Sequence, residues 1–312
     1  MFHDFEFIII NDGSNDKSKN IILSYNDSRI KYFENKKNLG IVKTLYRGLL
    51  LTKGQYIARM DADDISLLDR FQNQVIFLDH HKTIGVCGSW LQIIRNGKRM
   101  EIWKAPEINN KIITHMLFHN EIYHPTVMIR NSIIKKYKLN YNKTFRYSED
   151  YEFWVRIMKY THFYNLQKVM LYRNLHRDNT GSINKKIQDQ YINKIRSFQI
   201  YKLGIKPKKD ELKIHESISC WQFKADKKFL INTENWLKKI SSYNKISRVY
   251  SNKYLSQLLA TKWFYVCINS ACFGLWTCKY FWTSPLSIYS TLIQKIRLTI
   301  SCIINTKYHY ER

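Results

Sequence analysis

Acidic residues are scarce: 25 Asp and Glu stand against 51 Lys and Arg in 312 residues, a net charge of +26. Proline and glycine are scarce as well, at 4 and 10, which leaves little room for long flexible linkers. The six cysteines (Cys87, Cys220, Cys267, Cys272, Cys278, Cys302) include no C-x-x-C pair. No histidine pair completes a zinc pattern beside them, so neither a structural zinc site nor a disulfide framework is indicated. A reduced, cytoplasmic setting is the expectation. Residues 1–10 carry Asp4 and Glu6 and no basic start, so they do not read as a signal peptide. Long apolar runs are missing too. The longest uncharged stretch is residues 263–278, between Lys262 and Lys279, short of the roughly 20 residues of a membrane span. It reads as a buried helix or as one lying on a membrane surface, where Trp263, Phe264, Trp276, Tyr280, Phe281 and Trp282 would suit an interface.

What is present is a globular composition: 45% apolar, 24% charged and 15% aromatic. A chain of this size can bury a sizeable core in one large domain or two medium ones. The charge is uneven. Residues 1–180 hold 28 basic and 18 acidic side chains, and residues 181–312 hold 23 and 7. Such a field attracts phosphate-rich partners, namely nucleotide ligands, anionic lipid or nucleic acid. The plain alternative is a gene-wide bias toward Lys, Asn, Ile and Tyr. No RNA-recognition or helix-turn-helix signature is present, so nucleic acid is the weaker partner.

Residues 5–10 (FEFIII) read as a buried strand that stops at Asn11-Asp12-Gly13-Ser14. A helix is expected from Asn15-Asp16 to Ser24, with Ile22 and Leu23 inward, then a strand at 30–33. A long helix follows at 39–52, with Gly54 as a left-handed cap. Strand 56–60 runs directly into Asp61-Ala62-Asp63-Asp64, and 67–80 is helical. Residues 84–94 and 99–103 form a hairpin across Asn96-Gly97. Residues 125–130 are a strand, 149–160 a helix and 163–173 extended. Strands alternating with helices indicate an α/β layered sheet, whose ligands sit at the carboxyl ends of strands. Both acidic turns, Asp12 and 61–64, fall there. From about Gly181 the alternation fades into Lys-rich helical stretches (183–203, 211–230, 254–259).

Three carboxylates within residues 61–64 repel one another and call for a cation. Oxygen ligands of this kind suit Mg²⁺ or Mn²⁺ together with substrate phosphates. An acidic turn capping the next helix is the structural alternative. The EF-hand glycine and later glutamate are absent. Asp12 is compatible with an ordinary Asx turn or with a clamp on a nucleotide. Glu149-Asp150, beside Tyr151 and Trp154, fits helix-dipole complementarity or a general base whose pKa is raised by apolar neighbours. His124, His176, Arg59 and Arg173 are individually weak signals; guanidinium groups are natural phosphate partners.

The order of these features is more specific than any one of them. It runs Asp12-Gly13-Ser14, Asn38-Leu39-Gly40, Lys53-Gly54-Gln55-Tyr56-Ile57, then Arg59-Met60-Asp61-Ala62-Asp63-Asp64. His124-Pro125, Glu149-Asp150-Tyr151-x-x-Trp154-x-Arg156 and Tyr172-Arg173 follow. Over about residues 1–185 this resembles glycosyltransferase family 2, the inverting enzymes of GT-A fold. The resemblance implies a GT-A (Rossmann-like) mixed sheet flanked by helices in a catalytic domain over 1–182. A mainly helical, basic and membrane-proximal region would follow over 183–312. It implies that Asp12 contacts the nucleobase, usually uracil. Asp61 and Asp63 would hold Mn²⁺ or Mg²⁺ and the sugar diphosphate, with Asp64 beside them. Asp150 would deprotonate the acceptor hydroxyl. Glu149, Arg59, His124 and His176 fall at positions lining the site. Family members normally begin with one further strand and helix, so this chain starts at what the resemblance implies is the second strand.

The function so implied is transfer of a sugar from a nucleotide-diphosphate donor, UDP-linked, to a glycan or lipid-linked acceptor with inversion. It would serve surface polysaccharide or glycoconjugate synthesis, in the cytoplasm or at the inner membrane face. The rival reading is a non-catalytic basic protein that meets membrane or nucleic acid through residues 181–312, or an inactive fragment of such a transferase.

Overall fold

The structure, a computed structural model, describes residues 2–175 and 184–305. The chain divides into two compact units. Unit 1 is Met1–Ile112 with Glu121–Ile192, and unit 2 is Ile113–Asn120 with Asn193–Arg312.

Unit 1 begins with β1 (Phe7–Asn11), α1 (Ser18–Leu23), β2 (Ile30–Glu34) and α2 (Ile41–Leu51). Strands β1 and β2 pair in parallel as a two-stranded sheet, Ile9 against Tyr32. A parallel pair needs a crossover, which α1 supplies. The expected inward face of α1 is not found. The helix is six residues long and buries none of them, and Leu23 is exposed. Gly54 is not the cap of α2. Thr52 ends that helix in extended backbone, because the Lys53 and Gly54 amides both donate to Glu6 Oε1, at 2.7 and 3.3 Å. The glycine with positive φ is Gly40, at the start of the helix.

Six strands make the second sheet: β3 (Tyr56–Ala58), β4 (Ile65–Ser66), β5 (Ile84–Arg95), β6 (Lys98–Trp103), β7 (Met128–Arg130) and β8 (His162–Asn174). Their order is β3-β7-β5-β8-β4, with β6 on β5, and only β5–β8 is parallel. The β5–β6 hairpin turns at Asn96-Gly97, both at positive φ, as that pair of residues favours. Helices α3 (Arg70–His80), α4 (Asn109–His115), α5 (Asn131–Lys136) and α6 (Glu149–Ile157) complete the layer. The expected strand over 125–130 starts later, at Met128, because a 3₁₀ turn holds His124–Thr126. The mixed α/β sheet flanked by helices is the GT-A architecture expected.

Unit 2 is helical: the end of α7 (Lys185–Lys202), then α8 (Lys209–Ser219), α9 (Lys227–Ser247), α10 (Asn252–Asn269), α11 (Leu275–Thr283) and α12 (Leu292–Ile303). The stretch 211–230 is not one helix. It breaks after Ser219, Trp221 takes positive φ, and Asp226 caps α9 by accepting the Lys228 and Phe229 amides. Helix α10 is a core helix rather than a surface one, with Trp263, Phe264 and Cys267 buried, as is Phe281 of α11. Its apolar residues go all round over most of its length, and its exposed residues, Asn252, Lys253 and Gln257, lie in its first half. Lys262 is buried with the apolar residues. Its Nζ lies 2.7 Å from His119 Nε2 and 3.9 Å from the Trp221 ring centroid. Among the described residues no helix is long and apolar enough to cross a membrane.

Candidate active site

The acidic turn joins β3 to β4. Its position is fixed from three sides. Pairing of β4 with β8 sets Ile65 opposite Tyr172, which brings Asp64 beside Asn174. Asp64 Oδ1 accepts the Asn174 amide at 3.1 Å, and Asn174 Nδ2 donates to the Asp63 carbonyl at 2.5 Å. From below, the fully buried Arg70 of α3 donates to the carbonyls of Arg59 (2.8 Å) and Val127 (3.2 Å). One turn on, Gln74 donates to Cys87 and Thr126 carbonyls. From within, Arg59 pairs with Asp61.

Carboxylate oxygens of Asp61, Asp63 and Asp64 come within 4.8 Å of one another. Asp64 is buried, and burial with the charge of Asp61 pushes its carboxyl up to about 7. Its Oδ2 is buried and has no hydrogen-bond partner. An unpartnered buried carboxylate oxygen beside two more carboxylates costs free energy. A hard cation would satisfy it, so the donor set fits Mg²⁺ or Mn²⁺.

Glu149 and Asp150 begin α6, whose N-terminal dipole favours acidic groups. Glu149 is buried, its Oε2 lacks a partner, and burial and then Asp150 hold its carboxyl above the ordinary range. Asp150 is partly open and accepts the Tyr151 amide at 2.7 Å. Burial raises its pKa as well, against the Tyr151 hydrogen bond and the charges of Arg59 and Arg173; Asp61 adds to the rise. The acidic turn, the two arginines and the α6 carboxylates thus feel one another's charges.

His124 is buried. Its Nε2 lies 2.8 Å from Tyr141 Oη, and its ring meets Trp154 edge-on. Burial, then Arg59 and Arg173, hold it far below the usual histidine range, so the ring stays neutral. Asp12 stands at the end of β1. It accepts from Asn35 Nδ2 (2.7 Å) and from the Leu39 and Gly40 amides (2.9 Å each). Burial pushes its pKa up, but those bonds outweigh it and the carboxyl stays below its ordinary value. Its immediate work is to hold the Asn38-Leu39-Gly40 loop. His176 lies outside the described residues. Sequence reasoning passed over Tyr141, Arg70 and Asn174. Tyr141 and Asn174 meet partners 17 and 110 or more positions away, and Arg70 joins Gln74 and Arg59, 4 and 11 positions off, to Val127, 57 positions on.

Residues 2–143 match the sequence profile described as Glycosyl transferase family 2. An uncharacterised glycosyltransferase of Haemophilus influenzae is 33% identical over 233 residues, covering 70% of this chain and 71% of its own length. The chain belongs to glycosyltransferase family 2. The amylovoran biosynthesis glycosyltransferase AmsE of Erwinia amylovora is 30% identical over 171 residues, 54% of this chain and 61% of AmsE. In fold, the chain is similar to residues 1–349 of S. aureus TarS, solved with UDP-GlcNAc. The TM-score is 0.54 at 15% identity, over 96% of this chain and 82% of that one. As a member of the family, the protein is a glycosyltransferase.

Proposed function

We propose that unit 1 transfers a sugar from a UDP-sugar to a hydroxyl of a glycan or lipid-linked acceptor, inverting the anomeric centre, in surface polysaccharide or glycoconjugate synthesis. The observation that carries this reading is the Asp61–Asp63–Asp64 cluster, with carboxylate oxygens within 4.8 Å, electrostatically linked to Arg59, Arg173 and the Glu149–Asp150 pair. UDP-GlcNAc in the TarS structure supports the donor class, and the amylovoran biosynthesis in the name of AmsE supports a synthetic role.

Asp61 and Asp63, with Asp64 behind them, would hold Mn²⁺ or Mg²⁺, whose chemistry is to offset the charge of the departing diphosphate. Arg59 and Arg173 add fixed positive charge on the same side. Asp150 takes the proton of the acceptor hydroxyl. Its raised pKa suits a base, because a more basic carboxylate accepts the proton more readily. Burial, with Asp61 adding to it, keeps the Asp150 pKa high, and Asp150 in turn raises that of Glu149. The deprotonated oxygen attacks the anomeric carbon as the bond to the diphosphate breaks, so one displacement inverts the centre. Asp12 and the loop it holds form the nucleobase side, with His124 as a neutral wall.

The test is calorimetric titration of UDP and GDP with and without Mn²⁺, on this chain and on Asp61→Asn/Asp63→Asn. Metal-dependent UDP binding that the variant loses is the expected result. A folded chain that binds no nucleotide under either condition would overturn the reading.

A further inference from the structure

The outer face of α12 carries an apolar stripe that nothing among the described residues covers. Leu292, Ile293, Ile296, Ile300, Ile303 and Ile304 are all exposed, Leu292 by 71% and Ile293 by 78%. At about 100° per residue they fill an arc of roughly 120°. Leu298, Ser301 and Cys302 point the other way, into the unit 2 core. The helix is apolar on two faces, and only one has a partner. It is well formed without one: Thr291 Oγ1 accepts the Gln294 amide at 3.2 Å and Gln294 Oε1 accepts the Thr291 amide at 2.9 Å, a capping box.

The charge around the stripe says what fits it. Between Glu234 and Glu311 the sequence has ten Lys and Arg and no Asp or Glu. Arg297 lies just beyond one edge of the arc and Lys295 beyond the other. Lys295 Nζ sits 5.5 Å from the ring centroid of Trp282. Half-exposed Trp282 donates to Thr299 Oγ1 at 3.1 Å. An aliphatic stripe rimmed by cations and an indole matches the boundary between anionic headgroups and acyl chains. A second copy of the chain is the wrong partner, because it would press one acid-free, cationic surface against another. At twelve residues, about 18 Å, α12 can lie in that boundary but not span a bilayer.

We propose that unit 2 docks on an anionic lipid surface, with the outer face of α12 sunk into the headgroup–acyl boundary and Lys295, Arg297 and Trp282 at its rim. The surface uses none of the residues proposed to bind the donor, so its failure and that of the proposed function are separately visible.

The test is flotation of the full chain with vesicles of phosphatidylcholine alone or mixed with phosphatidylglycerol, with UDP titration as a check on unit 1. The chain is expected to float with the anionic vesicles and far less with the neutral ones. Ile296→Asp and Ile300→Asp, at exposed positions, are expected to lower partition by about tenfold or more each, from the loss of one buried aliphatic side chain. Lys295→Glu/Arg297→Glu is expected to weaken it, with the helical circular-dichroism spectrum retained. Absence of flotation would overturn the proposal, as would flotation indifferent to all these variants. A dimer in sedimentation that Ile300→Asp splits, without lipid binding, would replace it with self-association.

Discussion

Asn174 is bound to the acidic turn twice: its amide donates to Asp64 Oδ1 at 3.1 Å and its side chain to the Asp63 carbonyl at 2.5 Å. The second bond orients the turn whose carboxylates converge. Asn174→Ala keeps the backbone bond and removes the side-chain one, worth about 1 kcal/mol. We expect UDP affinity in Mn²⁺ to fall about fivefold, with the melting temperature shifted by only about 2 °C, both measured on the purified chain. A variant that binds UDP as tightly as the parent would show that the turn is fixed by other means.

Gly13 follows Asp12 at φ +77°, and a Cβ there would meet the Asn38 backbone nitrogen at 2.8 Å and the Lys37 carbonyl carbon at 3.0 Å. The obstacle is backbone, which cannot rotate aside. Gly13→Ala should cost about 1–2 kcal/mol and push apart the loops that Asp12 joins. Thermal melting should register the cost, and calorimetry a weaker UDP affinity. If nucleotide binding is unchanged, the Asp12 loop is not part of the donor site.

The layered α/β class was legible because hydrophobic runs and acidic turns are local. The strand 56–58, the hairpin at Asn96-Gly97 and the carboxylates at 61–64 all stand within a few residues of the signal that marks them. What was not legible depends on distant partners. The capping role of Gly54 failed because Glu6, 47 and 48 positions earlier, captures the Lys53 and Gly54 amides. The tryptophans of 263–282 allowed either burial or an interface, and neither period nor charge decided. Lys262, which bounds the longest uncharged stretch, is buried against His119 and Trp221. The exposed apolar face lies instead on α12, whose period the sequence shows but whose exposure only packing reveals. His124 is placed by its 2.8 Å contact with Tyr141 Oη, 17 positions on, which no local signal marks.

Glu149 is held above its ordinary pKa by burial and by Asp150. In the unfolded chain it titrates near the ordinary glutamate value of 4.5. Between that pH and the raised folded value, the folded chain binds more protons. Stability from this group is therefore full below the unfolded pKa and is lost as pH rises through the folded one. Thermal melting should fall as pH is raised from about 5 to about 8, and Glu149→Gln should flatten that slope by removing the group. An equal slope in the variant would place the pH dependence elsewhere.

Arg70 is the most demanding structural residue under the site. It is fully buried, burial lowers its pKa to about 10, and its guanidinium still serves two carbonyls, those of Arg59 and Val127, and Gln74 Oε1 at 3.2 Å. Val127 O also accepts the Arg59 amide at 3.1 Å, so Arg70 locks the backbone from which Arg59 reaches Asp61. A lysine cannot serve three acceptors from one planar fork. A methionine fills the space and leaves two carbonyls with fewer donors. We expect Arg70→Met to cost about 2–4 kcal/mol, from unpaired buried polar groups, and Arg70→Lys to recover only part of it. Denaturant unfolding followed by far-UV circular dichroism reads the loss. If Arg70→Met is as stable as the parent and binds UDP equally well, the fork is dispensable and Arg59 is held by its own ion pair with Asp61.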